Sequence, residues 1–216
     1  MTRPEKYNFK VKYNQFGQHC ANEPLYNFED TSEELLINCF EQEVLDLKAS
    51  NTTYNAMIEL GSNNCFYSML YRQIMSPVPI KNIMVEPYES YMNIGKEHFE
   101  LNAFSGEFLN RRIFTPERWC NMEFQCDPIT IDDLFAEYNL PGIDVLHCDI
   151  DGAEIYALES GKTALEKKLI SLIFLCTHSD DLHAKCRDIL TKYNYNCILD
   201  HPQPTVGYDR LLVFDK

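Results

Sequence analysis

Four residues near the middle of the chain have the types and spacing for proton transfer or metal binding. Asp149, Asp151 and Glu154 lie in the run Asp144-Val-Leu-His-Cys-Asp149-Ile-Asp151-Gly-Ala-Glu154, and His178 closes the segment Leu175-Cys-Thr-His178. Each run reads as a buried strand ending in polar residues, with a helix opening directly after it. A carboxylate at the end of an apolar strand faces a ligand or a metal. An imidazole that titrates near neutrality takes a proton from a hydroxyl while a carboxylate orients it. Asp149 and His178 equally suit one divalent cation, which would lower an acceptor hydroxyl's pKa. Oxygen and imidazole ligation does not by itself select the metal. His147, two residues before Asp149, is expected on the same rim. Asp151 also reads as a helix N-cap, and Glu154, in the first helical turn, either caps that helix or reaches the site.

A second group lies upstream. The apolar strand Ala56–Leu60 runs through Glu59 into Gly61, then into Ser62, Asn63 and Asn64 at the head of a helix. Gly61 permits a sharp turn and a close approach of main-chain N–H groups to a ligand. The helix start offers a positive end for a carboxylate. Glu59 is an acid able to face an amino group. Glu86-Pro87 ends the next strand, where Glu86 is placed to grip vicinal ribose hydroxyls. No Gly-x-Gly-x-x-Gly run is present, so a nucleoside ligand without a pyrophosphate fits better than a dinucleotide.

The elements that must position these groups follow from periodicity and punctuation. A capping box at Thr31-Ser-Glu-Glu34 opens a helix to about Lys48. Strands are expected at 54–60, 80–85, 143–149, 169–176, 195–199 and 210–214, with helices at 64–75, 89–101, 131–138, 152–160 and 181–192. Residues 103–127 are less regular, with a further strand indicated between Phe108 and Phe114. The strand at 169–176 is apolar on both faces, as a covered parallel strand should be. The link between the last two strands is too short for a crossover helix, so they form an antiparallel pair. The expectation is an α/β fold: a seven-stranded, mostly parallel, doubly wound sheet with a C-terminal antiparallel hairpin and an N-terminal helical extension. Residues 1–50, an arm and a helix, belong to the same unit as the domain at 51–216.

Size and charge narrow the function. A chain of 216 residues builds one substantial α/β core. Its 33 acidic against 19 basic residues give a net charge of −14, a field that repels nucleic acid and anionic lipid. The tight basic cluster Arg111, Arg112 and Arg118 suits a single anionic group. Nine cysteines without a Cys-x-x-Cys pair exclude a disulfide scaffold and a zinc site. The first residues lack the apolar core of a signal peptide, and no segment has the length of a membrane span, so a cytoplasmic enzyme is expected. Phe16, Tyr26, Phe28, Tyr88, Tyr91 and Trp119 are candidates for a lid or wall. Residues 1–50 are natural material for a homodimer contact.

From Tyr54 to Phe214 the motifs resemble the FkbM-like branch of class I S-adenosylmethionine-dependent methyltransferases. The branch's acid-x-Gly-small-Asn-x-Gly segment appears as Glu59 to Cys65, and its Glu-Pro as Glu86-Pro87. Its Thr-x-Asp-Asp/Glu-Leu appears as Thr130 to Leu134, and its Lys-x-Asp-x-Glu-Gly-x-Glu as His147 to Glu154. Its strand ending in His is Ile173 to His178. Cys65 replaces the second glycine, His147 the lysine and Asp151 a glutamate. The resemblance implies methyl transfer from S-adenosylmethionine to a hydroxyl of a small molecule such as a sugar, lipid or polyketide-type metabolite. Glu59, Gly61, Ser62, Asn63, Asn64, Glu86 and Pro87 would hold the cofactor. Asp149, Glu154, His178 and His147 would face the acceptor, with Mg²⁺ or another divalent cation on Asp149 and His178 as an option. Two alternatives stay open: an idle Rossmann-like binding subunit and a nicotinamide-dependent α/β enzyme.

Overall fold

The computed structural model describes residues 31–113, 126–203 and 210–216, with residues 31–34 described by backbone alone. The expected arm at 1–30, Arg118 and Trp119 therefore lie outside the described residues. The chain order is α1 (Thr31–Ala49), β1 (Ala56–Leu60), α2 (Phe66–Met75), β2 (Lys81–Val85), α3 (Glu89–Leu101), β3 (Glu107–Leu109), β4 (Arg112–Ile113) and β5 (Pro128–Ile129). It continues with α4 (Ile131–Glu137), β6 (Ile143–Cys148), α5 (Glu154–Ser160), α6 (Lys162–Glu166), β7 (Ile170–Thr177), α7 (Asp180–Lys192), β8 (Asn196–His201) and β9 (Arg210–Asp215).

Seven strands form one sheet in the order β3-β2-β1-β6-β7-β9-β8. β3 to β7 run parallel, and β9 pairs antiparallel with both β7 and β8. The expected fold is the observed one. From β1 the chain first builds outward through β2 and β3, then returns to the other side of β1 with β6. That reversal leaves a crevice beyond the C-terminal ends of β1 and β6, the usual ligand position of an open α/β sheet.

Alternation along the strands divides the interior into two layers. Ile58, Leu60, Leu146, Cys148, Ile173 and Leu175 face α4, α5 and α7. Met57, Val145, Phe174 and Val213 face α1 and α2, where Leu36, Ile37, Phe40 and Val44 fill the other side. Burying each such side chain fully contributes about 1.5–3 kcal/mol. α1 thus packs into the core of the domain. Asp144, fully buried at the start of β6, accepts from Tyr54 N (2.6 Å), Asn55 N (2.9 Å) and the Tyr71 hydroxyl (2.5 Å), fixing β6 against β1 and α2.

Local signals mostly set the element ends. Thr130 and Asp133 form a reciprocal capping box on α4, with Asp133 N donating to Thr130 Oγ1 at 2.9 Å and Thr130 N to Asp133 Oδ2 at 3.1 Å. Ser179 Oγ accepts from Leu182 N and caps α7. The region expected to be irregular holds β3 at the sheet edge and the separate two-stranded pair β4–β5. The helix expected at 152–160 is α5, and a further short helix beyond those expected, α6, follows it after Gly161.

Candidate active site

The loops after β1 and β6 touch. Asp149 N donates to Leu60 O at 3.0 Å, and the Asp149 carbonyl lies where a side chain on residue 61 would go. Gly61 also has φ +71°, so both backbone conformation and space require glycine there. The two loops open onto one cavity of about 520 Å³, within the range of small-molecule sites. Its walls include Gly61, Asn63, Glu86, Pro87, Arg112 and Asp149–Ala153.

Glu86 lies on this wall and is nearly buried. Its Oε2 accepts from Asn63 N (3.0 Å) and its Oε1 from Tyr88 N (2.9 Å), which aims the carboxylate and leaves each oxygen a further lone pair. Burial, with a contribution from the Asp151 charge, raises its pKa above the usual carboxylate range, although the two N–H donors pull it down. Asn63 Oδ1 is buried without a hydrogen-bond partner.

The other expected cofactor residues stand back from the cavity wall. Glu59 is buried under the first turn of α2, accepting from Ser68 N at 3.1 Å, and burial pushes its pKa up to about 8. Its carboxyl therefore serves the helix N-terminus, a partner other than the amino group expected from sequence. Ser62 and Asn64 are buried in the turn. Cys65, the glycine replacement, adopts φ 63° at the α2 N-cap, and its sulfur lies against Gly95 of α3 rather than in the cavity.

At the β6 and β7 ends, Asp149, Glu154 and His178 converge. Glu154 is fully buried; its Oε1 accepts from Ile150 N (3.1 Å) and Gly152 N (3.2 Å) and lies 3.2 Å from His178 Nδ1. His178 Nε2 is 3.4 Å from Asp149 Oδ1 and 3.5 Å from Asp151 Oδ1. One donor atom from each of Asp149, Glu154 and His178 falls within 4.8 Å of the other two. Asp151 is not the helix cap: α5 starts after Ala153, and Asp151 sits at φ 51°, 94% exposed.

His147 does not join that group among the described contacts. It is the register partner of Glu59 on β1 and of Phe174 on β7, and its ring stacks on Tyr67 at 4.0 Å. It is 2% exposed, both ring nitrogens lack a partner, and burial pushes its pKa down to about 3, so it is neutral. Of the residues on the cavity wall, sequence gave no role to Ile113, Tyr156 or Ala153. Arg111 and Arg112 carried a signal only as a basic pair, and Tyr88 and Tyr91 only as aromatic candidates.

A family model described as the methyltransferase FkbM domain matches residues 20–197. The chain belongs to this family. By its family the FkbM-domain chain is an S-adenosylmethionine-dependent methyltransferase, and its sheet order agrees with that. No curated protein matches it. Among solved structures, the precorrin-6y C5,15-methyltransferase of Geobacter metallireducens is 13% identical with a TM-score of 0.51, covering 83% of this chain and 88% of that one. The N-terminal domain of human METTL16, in complex with S-adenosylhomocysteine, is 14% identical with a TM-score of 0.56, over 99% and 78%. The bifunctional kinase-methyltransferase WbdD is 11% identical with a TM-score of 0.56 over 97% of this chain, which spans 44% of WbdD. These likenesses establish the fold. The cavity of the FkbM-domain chain suits the cofactor: an aimed carboxylate at Glu86, an unpaired buried acceptor at Asn63 and a volume of about 520 Å³ are present together. Among the described residues, no helix is long and apolar enough to cross a membrane.

Proposed function

We propose that the chain transfers the methyl group of S-adenosylmethionine to a hydroxyl of a small molecule. The observation that carries this reading is the convergence of Asp149, Glu154 and His178, with Asp149 lining the same cavity as Glu86. When bound, the cofactor supplies a methyl carbon activated by a sulfonium, so the protein's task is alignment and removal of the acceptor's proton. Glu86 accepts hydrogen bonds from vicinal hydroxyls with its remaining lone pairs. Asn63 Oδ1 accepts from an amino group, and Gly61 and Pro87 shape the wall. Glu59, Ser62 and Asn64 support the turn that carries Asn63. The Glu154 carboxylate lies 3.2 Å from Nδ1 of His178 and favours its charged ring, so Nε2 takes the proton from the acceptor and Asp149 stabilises the charge that forms. His147, where the family has a lysine, is buried against Tyr67 and neutral, so it takes no part on the acceptor side.

One observation favours a second reading of the same cluster. Glu154 Oε2 is buried without a partner, and two carboxylates with an imidazole suit a divalent cation such as Mg²⁺ or Mn²⁺. In that reading Asp149, His178 and Glu154 would hold the cation, whose chemistry would be to lower the acceptor's pKa. The charge of −14 favours a small neutral acceptor over a nucleic acid. α1 acts with 51–216 as one unit in the cytoplasm, and its exposed Leu45 is available to a homodimer contact. Calorimetry with S-adenosylhomocysteine and with NAD, followed by cofactor turnover on a panel of hydroxyl compounds with and without a chelator, tests all of this. Binding of the nucleoside product and turnover on one acceptor are expected, and chelator sensitivity decides between base and cation. Binding of S-adenosylhomocysteine without turnover on any hydroxyl compound overturns the hydroxyl-acceptor reading, and NAD is expected not to bind.

A further inference from the structure

Behind His178 lies a second hydroxyl–imidazole–carboxylate relay. His183, buried on α7, places Nδ1 2.9 Å from Thr177 Oγ1 and Nε2 2.9 Å from Asp200 Oδ1 on β8. Arg187 donates to the other Asp200 oxygen at 3.0 Å. Thr177 Oγ1 also approaches the Arg210 carbonyl of β9 at 3.3 Å, and Arg210 Nε donates to Asp180 at 2.7 Å. Such a constellation is not a second nucleophilic centre, because Thr177 is fully buried and no acceptor can reach its hydroxyl. Its place in the chain gives it another use. Thr177 precedes His178 and Ser179 follows it, and Ser179 is fixed as the α7 cap. His178 is thus the one residue between two pinned neighbours.

Hydrogen-bond accounting makes the relay directional. The carboxylate of Asp200 only accepts, so Nε2 of His183 carries a proton; the hydrogen bonds from His183 and Arg187 hold the Asp200 pKa below its ordinary value. With the proton on Nε2, Nδ1 of His183 accepts from the Thr177 hydroxyl at 2.9 Å, the shorter of the two contacts that hydroxyl makes. The carboxylate on β8 thereby favours a Thr177 hydroxyl that points at His183, one residue from the acceptor-side imidazole.

We propose that His183 is a positioning residue for methyl transfer, fixing His178 through Thr177 at the end of β7. This rests on the role of His178 proposed above. Asp200→Asn keeps the volume but removes the charge and leaves a single acceptor oxygen for both His183 and Arg187. His183→Leu removes the relay, His183→Asn restores a partner for Thr177, and Arg187→Gln removes only the outer ion pair. Ring-nitrogen NMR of the full chain, with His178 assigned by His178→Gln, reads the effect without any acceptor. Asp200→Asn and His183→Leu are expected to displace the His178 ring signals, while Arg187→Gln leaves them in place. On the acceptor found by the panel, kcat should fall about 10- to 100-fold in His183→Leu, with unchanged S-adenosylhomocysteine affinity and substantial recovery in His183→Asn. Unmoved His178 signals in folded variants overturn the proposal. So does displacement without loss of kcat, or a loss that Arg187→Gln reproduces. Full activity in His178→Gln would instead remove the proposed role of His178 in proton transfer, an outcome distinguishable because the ring signals of His178 in Asp200→Asn still report the coupling.

Discussion

The two ends of the cavity are built in different ways. At the β1–β2 end the work is done by backbone: a left-handed glycine against the Asp149 carbonyl, and a buried glutamate held by two main-chain N–H groups. At the β6–β7 end it is done by side chains: three carboxylates around one imidazole at 3.2–3.5 Å, with Asp149 and Asp151 partly or largely exposed. A backbone-built wall tolerates little change and suits a ligand of fixed shape. A rim of side chains can be altered residue by residue and suits an acceptor that differs between relatives. Substitution should therefore destroy the first end and retune the second.

The largest effect is expected at Gly61. Alanine there must hold φ near +71° and push its Cβ into the Asp149 carbonyl, so the strain should cost about 3 kcal/mol or more. Melting temperature and S-adenosylhomocysteine affinity should fall together. Retention of both would mean that the two loops do not depend on each other. At the other end, His178→Gln and Asp149→Asn should lower turnover by about 10²–10⁴ while cofactor affinity, measured by calorimetry, stays near that of the parent. Equal losses in both quantities would merge the two ends into one.

Much of this division is legible in the sequence, and the parts that are not have physical reasons. β1, β2, β6 and β7 show themselves because long apolar runs end in glycine or acids, and α4 and α7 because Thr130 and Ser179 cap them. Asp149, Glu154 and His178 could be grouped because neighbouring parallel strands end at one rim. β3 and the β4–β5 pair are hard to read, since three- and two-residue strands have no period and depend on partners distant in sequence. Glu59 was ambiguous for a different reason. A strand-end acid is equally able to meet a ligand or a helix N-terminus, and only the placement of Ser68 N decides between them. The inward turn of Cys65 depends on Gly95, thirty residues away and on another helix.

Glu86→Gln sharpens the comparison from the cofactor side. The variant keeps the shape but loses the charge, and hydrogen bonds to a charged group contribute about 1.5–3 kcal/mol each. Affinity for S-adenosylhomocysteine should drop about 10- to 100-fold, and the melting temperature should fall as well, because the amide accepts from only one of the Asn63 and Tyr88 N–H groups. An unchanged affinity would take the ribose away from Glu86. Glu59, by contrast, should appear in stability and not in binding. Its folded pKa of about 8 lies above the ordinary 4.5, so the native state holds a proton that the unfolded chain releases. Its contribution is therefore greatest below pH 4.5 and declines as pH rises through 8. Glu59→Gln should flatten the fall in melting temperature across that window; an unaltered slope would show that Glu59 ionises freely.

The smallest effect tests how rigid the backbone-built end is. Cys65 holds φ 63°, which costs a non-glycine residue about 1 kcal/mol, yet its sulfur fills the space left by Gly95. Cys65→Gly relieves the strain and empties that space, so the two terms should nearly cancel. Gly95→Ala alone sets a methyl against the sulfur and should destabilise. In the double variant the sulfur is gone, the nearest remaining atom to the new methyl is the Asn63 carbonyl oxygen at 3.4 Å, and alanine should regain about 1 kcal/mol of helix propensity over glycine. Gly95→Ala is thus expected to change sign between the two backgrounds, read by denaturant unfolding as a double-mutant cycle. Additive effects would mean that α3 shifts to accommodate either residue, leaving the turn that carries Asn63 free to move with it.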